Sequence, residues 1–95
     1  MAKLKNILVV EDDTNLGNLV RKLILDEGLP VLLASNSKEG IEYLNQHSID
    51  VLISDLQLPD EDGLSLIRKA LQIQPHIASI IMTGWGSLET AIAGI

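Results

Sequence analysis

An α/β fold, an open and doubly wound parallel sheet, is predicted by three features of the sequence. Short continuous apolar runs alternate with longer stretches of helical periodicity. The connections between them are short, so the strands run parallel and the crossovers are right-handed. Carboxylates stand just past two of the apolar runs: Glu11-Asp12 after Ile7-Leu8-Val9-Val10, and Asp55 after Val51-Leu52-Ile53-Ser54. Sheets of this kind bind ligands beyond the carboxyl ends of their strands, where the winding direction reverses.

Each element has its own signal. Ile7 to Val10 is an uninterrupted apolar run, as expected of a strand covered on both faces. Thr14 is placed to cap a helix whose Leu16, Leu19, Val20, Leu23 and Ile24 share one face. Gly28 fits the position after that helix, and Pro30 blocks its continuation. Val31 to Ala34 reads as the second strand. Asn36 with Glu39 resembles a capping box for a second helix, which carries Ile41 and Leu44. Ile49 to Ser54 is the third strand, and Leu56 to Gly63 a loop containing Pro59. Leu64, Ile67, Ala70 and Leu71 line a third helix that ends before Pro75. Ala78 to Met82 is the fourth strand. Gly84 and Gly86 make a turn, and Ser87 caps a fourth helix with Leu88, Ala91, Ile92 and Ile95.

The totals exclude several function classes. A chain of 95 residues forms one domain. An apolar content of 46% and a mean hydropathy of +0.26 are too high for a disordered segment. With no Phe, one Tyr and one Trp, the core must be aliphatic. A net charge of −6 with scattered basic residues argues against direct nucleic-acid binding. No cysteine means no disulfide or thiolate metal site. No apolar run approaches the roughly 20 residues that span a bilayer, and the expectation is a soluble cytoplasmic protein with no membrane partner.

Carboxylates at strand ends are crowded and partly buried, an arrangement that needs compensation. Three of them delivered to one place point to a divalent cation site, and the lone Asp55 to a nucleophile. Crowding without metal should raise at least one pKa. His47 and His76 lack paired ligand spacing and read as solvated. Ser54, alternating with Asp55 along the strand, reads as a core residue.

The segments ILVVEDD, DVLISDLQLPDEDG and IIMTG, in this order and spacing, resemble the receiver domain of two-component response regulators. The resemblance covers the whole chain, residues 1–95, and implies a flavodoxin-like sheet. It makes Asp55 the phosphoacceptor, with Pro59 and Gly63 following in the family pattern, and Thr83 the switch residue at the end of the fourth strand. It implies a Mg²⁺ cofactor held by Asp12, Asp55 and the backbone carbonyl of Gln57, with Glu11 acting through water. Two carboxylates suffice for such a cation, because Mg²⁺ keeps several of its waters. The implied partner is a sensor histidine kinase, and the implied role is phosphorelay signalling, with transcription regulation as output. The chain would be a signalling phosphoacceptor assisting its own phosphotransfer and dephosphorylation, and not an enzyme in its own right. Trp85, next to Thr83, would gate access or serve a partner surface.

The family pattern continues into a fifth strand and helix, with a Lys that contacts the phosphoryl group; this chain ends before either. The expectation is therefore a receiver lacking its last β-α unit. Lys38 and Lys69 do not replace that Lys, since both fall on helices. Self-association is expected through the fourth strand, with Ile80, Ile81 and Met82, or through an uncovered sheet face. The alternative function is a phosphorylation-incompetent interaction or dimerisation fragment. A Mg²⁺-dependent aspartyl phosphohydrolase is disfavoured, because Gln57 stands where such enzymes place a second acid.

Overall fold

The computed structural model describes residues 5–82. Strand β1 spans Ile7–Val10, β2 Val31–Ala34, β3 Val51–Asp55 and β4 Ala78–Met82. Helix α1 spans Thr14–Asp26, α2 Ser37–Gln46 and α3 Gly63–Ile73. The four strands form one parallel sheet in the order β2-β1-β3-β4. The path leaves β1 for β2, then crosses back over β1 to reach β3. With right-handed crossovers, that reversal puts α1 and α2 on opposite faces of the sheet.

The two faces follow from strand alternation. Leu8, Val10, Leu52 and Ala34 join Leu44, Ile49, Leu66, Ala70 and Ile77 in one buried aliphatic cluster under α2 and α3. On the other face α1 lies over β1 and β2, with Gly17 against Leu33. All four residues of β1 are buried, as expected of a strand flanked on both edges and covered on both faces. In β3, Leu52 and Ser54 are buried while Val51, Ile53 and Asp55 are partly exposed. Among the described residues β4 is an edge strand, and its first three residues are exposed.

Element ends differ in detail from the sequence expectation. The cap of α1 is Asp13 and not Thr14: its carboxylate accepts from the N–H groups of Asn15 and Leu16 at 2.9 and 3.1 Å, and Thr14 is the first helical residue. At the other end Gly28 adopts φ 78°, Gly28 N donates to Leu25 O at 2.9 Å, and Leu29 N reaches Ile24 O at 3.4 Å. This paired closure needs the left-handed conformation that glycine supplies without strain. The capping box on α2 is displaced. Asn36 accepts from Glu39 N at 2.8 Å, but the Glu39 carboxylate reaches back to Ser35 instead of to the cap residue. Strand β3 starts two residues later than expected and runs through Asp55. Ile49 precedes it, buried, with its N–H donating to the Gln74 side chain at 2.8 Å.

Candidate functional site

The parallel register brings the strand ends level. Val10 lies between Ala34 and Ser54, so Glu11-Asp12 and Asp55 leave the sheet side by side at the point where the winding reverses. Glu11, Asp12 and Asp55 each offer a carboxylate oxygen, and the three lie within 4.8 Å of one another. The three carboxylates picked out from the sequence are thus one cluster.

Their surroundings are unequal. Asp12 is exposed and Asp55 partly exposed, while Glu11 is only 3% exposed. Glu11 Oε1 accepts from Asp13 N at 3.0 Å; Oε2 is buried and has no hydrogen-bond partner among the described residues. A buried carboxylate oxygen without a donor is costly unless a proton or a cation satisfies it. Burial pushes the Glu11 carboxyl up to about 7, partly opposed by the Asp13 N–H and reinforced by the neighbouring carboxylates of Asp55 and Asp12. The rise expected from crowding therefore falls on Glu11, with burial as the larger cause. A cluster of hard oxygen donors containing one unsatisfied buried oxygen fits a divalent cation such as Mg²⁺.

The loop after β3 is built tightly around Asp55. Gln57 N donates to Asp55 Oδ1 at 3.3 Å, orienting the carboxylate. Gln57 and Asp62 face each other as an isolated antiparallel bridge, and Gly63 N donates to Leu56 O at 2.7 Å. Gly63, expected to close the loop, is the first residue of α3. A Cβ there would lie 2.2 Å from the Asp55 carbonyl oxygen and 3.1 Å from Ser54 Oγ. Only glycine lets the helix start this close to the end of β3. Ser54 is fully buried, as expected, and its hydroxyl donates to Asp55 O at 2.9 Å. His47 and His76 are exposed. Lys69 lies on α3, paired with Glu61 at 2.8 Å. Thr83 and Trp85 lie outside the described residues; Met82, just before Thr83, pairs in register with Asp55. Sequence reasoning missed Asp60 and Glu61, whose contacts reach from this loop to α2. The acidic run at 60–62 was the available signal.

A four-stranded parallel sheet of order 2-1-3-4, with three carboxylates at its switch point, defines a flavodoxin-like α/β domain. Residues 7–95 match the response regulator receiver domain, and the chain belongs to that family. Among curated relatives, the transcriptional regulatory protein GlrR of Escherichia coli is 35% identical over 88 residues, covering 93% of this chain and 20% of the relative. The virulence transcriptional regulatory protein PhoP of Salmonella typhimurium is 40% identical over 82 residues, covering 83% of this chain and 37% of the relative. The chain thus spans from a fifth to little more than a third of these proteins. A CheY-like receiver domain from Methanospirillum hungatei superposes with a TM-score of 0.84 at 32% identity, over 95% of this chain and 72% of that one. A response regulator from Burkholderia pseudomallei, solved with a phosphorylated aspartic acid, a calcium ion and citrate, gives a TM-score of 0.81 at 28% identity over 93% of this chain and 52% of that one. The chain is a receiver domain of two-component signalling, a family whose members interact with histidine kinases.

Proposed function

We propose that this receiver accepts a phosphoryl group on Asp55 from the phosphohistidine of a sensor histidine kinase, in a Mg²⁺-dependent reaction. The observation that carries the reading is the convergence of Glu11, Asp12 and Asp55 within 4.8 Å, with one buried Glu11 oxygen unsatisfied among the described residues. The phosphorylated aspartic acid and calcium ion of the Burkholderia pseudomallei regulator lend it support.

Asp12, Asp55 and the backbone carbonyl of Gln57 would hold the cation, with Glu11 acting through water. A Mg²⁺ bound there would supply neutralising charge for the transferring phosphoryl group. The Gln57 N–H holds Asp55 Oδ1 and leaves the other oxygen to react. That oxygen bonds to phosphorus while the P–N bond of the phosphohistidine breaks, and the electron pair leaves with the imidazole nitrogen. The product is an acyl phosphate on Asp55. Thr83 then donates its hydroxyl hydrogen to a phosphoryl oxygen and so acts as the switch. The chain assists its own phosphotransfer and dephosphorylation without being an enzyme for other substrates. Working with a kinase's phosphohistidine, it acts in the cytoplasm. Its output is transcription regulation, as in the relatives named above.

Self-association is a second part of the reading. Leu19 and Leu23 on α1 are 54% and 58% exposed, and Ile80 on the β4 edge is 51% exposed. These apolar surfaces favour pairing of chains. Light scattering at tens of micromolar tests it; a monodisperse monomer would sink it.

Intact mass after incubation with Mg²⁺ and acetyl phosphate tests the main reading, with Asp55→Asn as control. Gain of one phosphoryl group by the parent alone is expected. No gain would favour the alternative, a phosphorylation-incompetent interaction fragment.

A further inference from the structure

The loop that carries Gln57 is anchored at its far end by contacts that neither the family pattern nor the proposed chemistry uses. Asp60 reaches across to the start of α2. Its Oδ1 accepts from Ser37 N at 2.9 Å and its Oδ2 from Lys38 N at 3.0 Å. Glu61 accepts from the Ser37 hydroxyl, and its Oε2 accepts from Lys69 Nζ on α3 at 2.8 Å. Ser37 is 2% exposed, whereas Asp60 is exposed and Glu61 partly so, and the contacts run from a buried serine out to the surface.

The arrangement completes both partners. A helix leaves its first N–H groups without intrahelical acceptors. In α2, Asn36 serves Glu39 N through its side chain and Gly40 N through its carbonyl. Asp60 serves the remaining two, Ser37 N and Lys38 N. A carboxylate is the strongest acceptor for this positive helix end. The Ser37 N–H holds the Asp60 carboxyl below its ordinary value, and Lys69 with Ser37 does the same for Glu61.

The tip of the loop is thus pinned to α2 and α3, and its two legs are zipped. Gln57 faces Asp62 in the antiparallel bridge, Leu58 N donates to Glu61 O at 3.2 Å, and Gly63 N donates to Leu56 O at 2.7 Å. Leu58 packs against the aliphatic core. Movement of the tip is movement of the Gln57 peptide, which contacts Asp55 on one side and, on the reading above, offers its carbonyl to the cation on the other.

We propose that Asp60 and Glu61 are positioning residues of the phosphoacceptor site: a two-carboxylate tether that docks the β3–α3 loop on the N-terminus of α2 and sets cation affinity through the Gln57 peptide. This rests on the proposed Mg²⁺-dependent phosphorylation of Asp55. Neither residue touches the cation or the phosphoryl group. Groups that orient metal ligands from behind typically change metal affinity by about 10- to 100-fold when removed.

The test measures the rate of Asp55 phosphorylation by acetyl phosphate against Mg²⁺ concentration, with Mg²⁺ binding followed by calorimetry. Asp60→Ala and Glu61→Ala are compared with Asn36→Ala, which removes an α2 cap without touching the loop. Circular dichroism establishes that each variant is folded. Asp60→Ala is expected to raise the half-saturating Mg²⁺ concentration about tenfold, with the rate at saturating Mg²⁺ near that of the parent. Glu61→Ala shifts it in the same direction, and Asn36→Ala leaves it unchanged. Parent-like Mg²⁺ dependence in both loop variants overturns the tether while leaving the phosphoacceptor reading intact. An equal shift in Asn36→Ala also overturns it, by showing general loosening of α2. Absence of Mg²⁺ binding by the parent overturns both readings.

Discussion

Glu11 is where residue-scale chemistry has the largest consequence. Its ordinary value of 4.5 rises to about 7 in the folded chain, chiefly through burial. Between those values the folded state keeps a proton that the unfolded chain has released. The stabilisation is complete below about 4.5 and is lost as pH rises through about 7. The metal-free protein should therefore lose about 3 kcal/mol of stability across that window. Glu11→Gln should flatten the dependence, and urea denaturation at a series of pH values in chelator checks both. Asp60, Glu61 and Asp62, all lowered, work in the opposite sense and at lower pH, where acid removes their contacts. Gly63 is the second sensitive residue. Its missing Cβ is the space occupied by the Asp55 carbonyl, a backbone atom that cannot move aside alone. Gly63→Ala should cost about 1–3 kcal/mol in a denaturation midpoint, the usual penalty of overpacking, and slow phosphorylation of Asp55.

At the scale of elements, the folding units are held by polar side chains that bridge them as well as by apolar faces. Gln74, just past α3, accepts from Ile49 N at 2.8 Å and donates to Leu44 O and His47 O, both at 2.7 Å. One amide thereby joins the end of α2, the entry to β3 and the end of α3. Its removal leaves a partly buried N–H and two carbonyls without partners. Gln74→Ala should destabilise the domain by about 1–3 kcal/mol, measured by thermal or urea unfolding, with little effect on the Mg²⁺ dependence of phosphorylation. The contrast with Asp60 separates a bond that holds elements together from one that aims a loop. Helix α1 presents the reverse case: the face expected to be apolar is apolar, yet Leu16, Leu19 and Leu23 stay exposed while Gly17 takes the buried contact. Periodicity identifies the face of a helix; how much of it is covered depends on its neighbours.

For the whole molecule, cation binding and folding are one equilibrium. The three carboxylates come from two strand ends far apart in sequence and meet only when β1 and β3 pair. A cation held there binds the folded state alone and stabilises it by mass action, by about 2.7 kcal/mol at a hundred times its dissociation constant. Mg²⁺ should raise the melting temperature, and Asp12→Asn should abolish most of the rise. Equal stabilisation of parent and variant by Mg²⁺ would place the ion elsewhere. The same linkage reverses the pH trend of Glu11, because a cation favours the ionised form.

Much of this was legible in the sequence because it is local. The apolar runs and helical stripes gave the order of elements. Glu11, Asp12 and Asp55 stood out because carboxylates are rare at the ends of buried strands, and parallel pairing obliges such ends to meet. Gly28 was readable because its conformation is a property of the residue itself. What only the tertiary structure decided depends on distances across the chain. That Glu11 rather than Asp12 is buried, and so takes the proton, follows from packing beneath α1. The capping of α2 by Asp60 joins positions separated by more than twenty residues. Gly63 is required because α3 starts against the backbone of Asp55, a contact no local pattern records. Composition and periodicity report which residues want to be buried or capped; the fold alone supplies the partner.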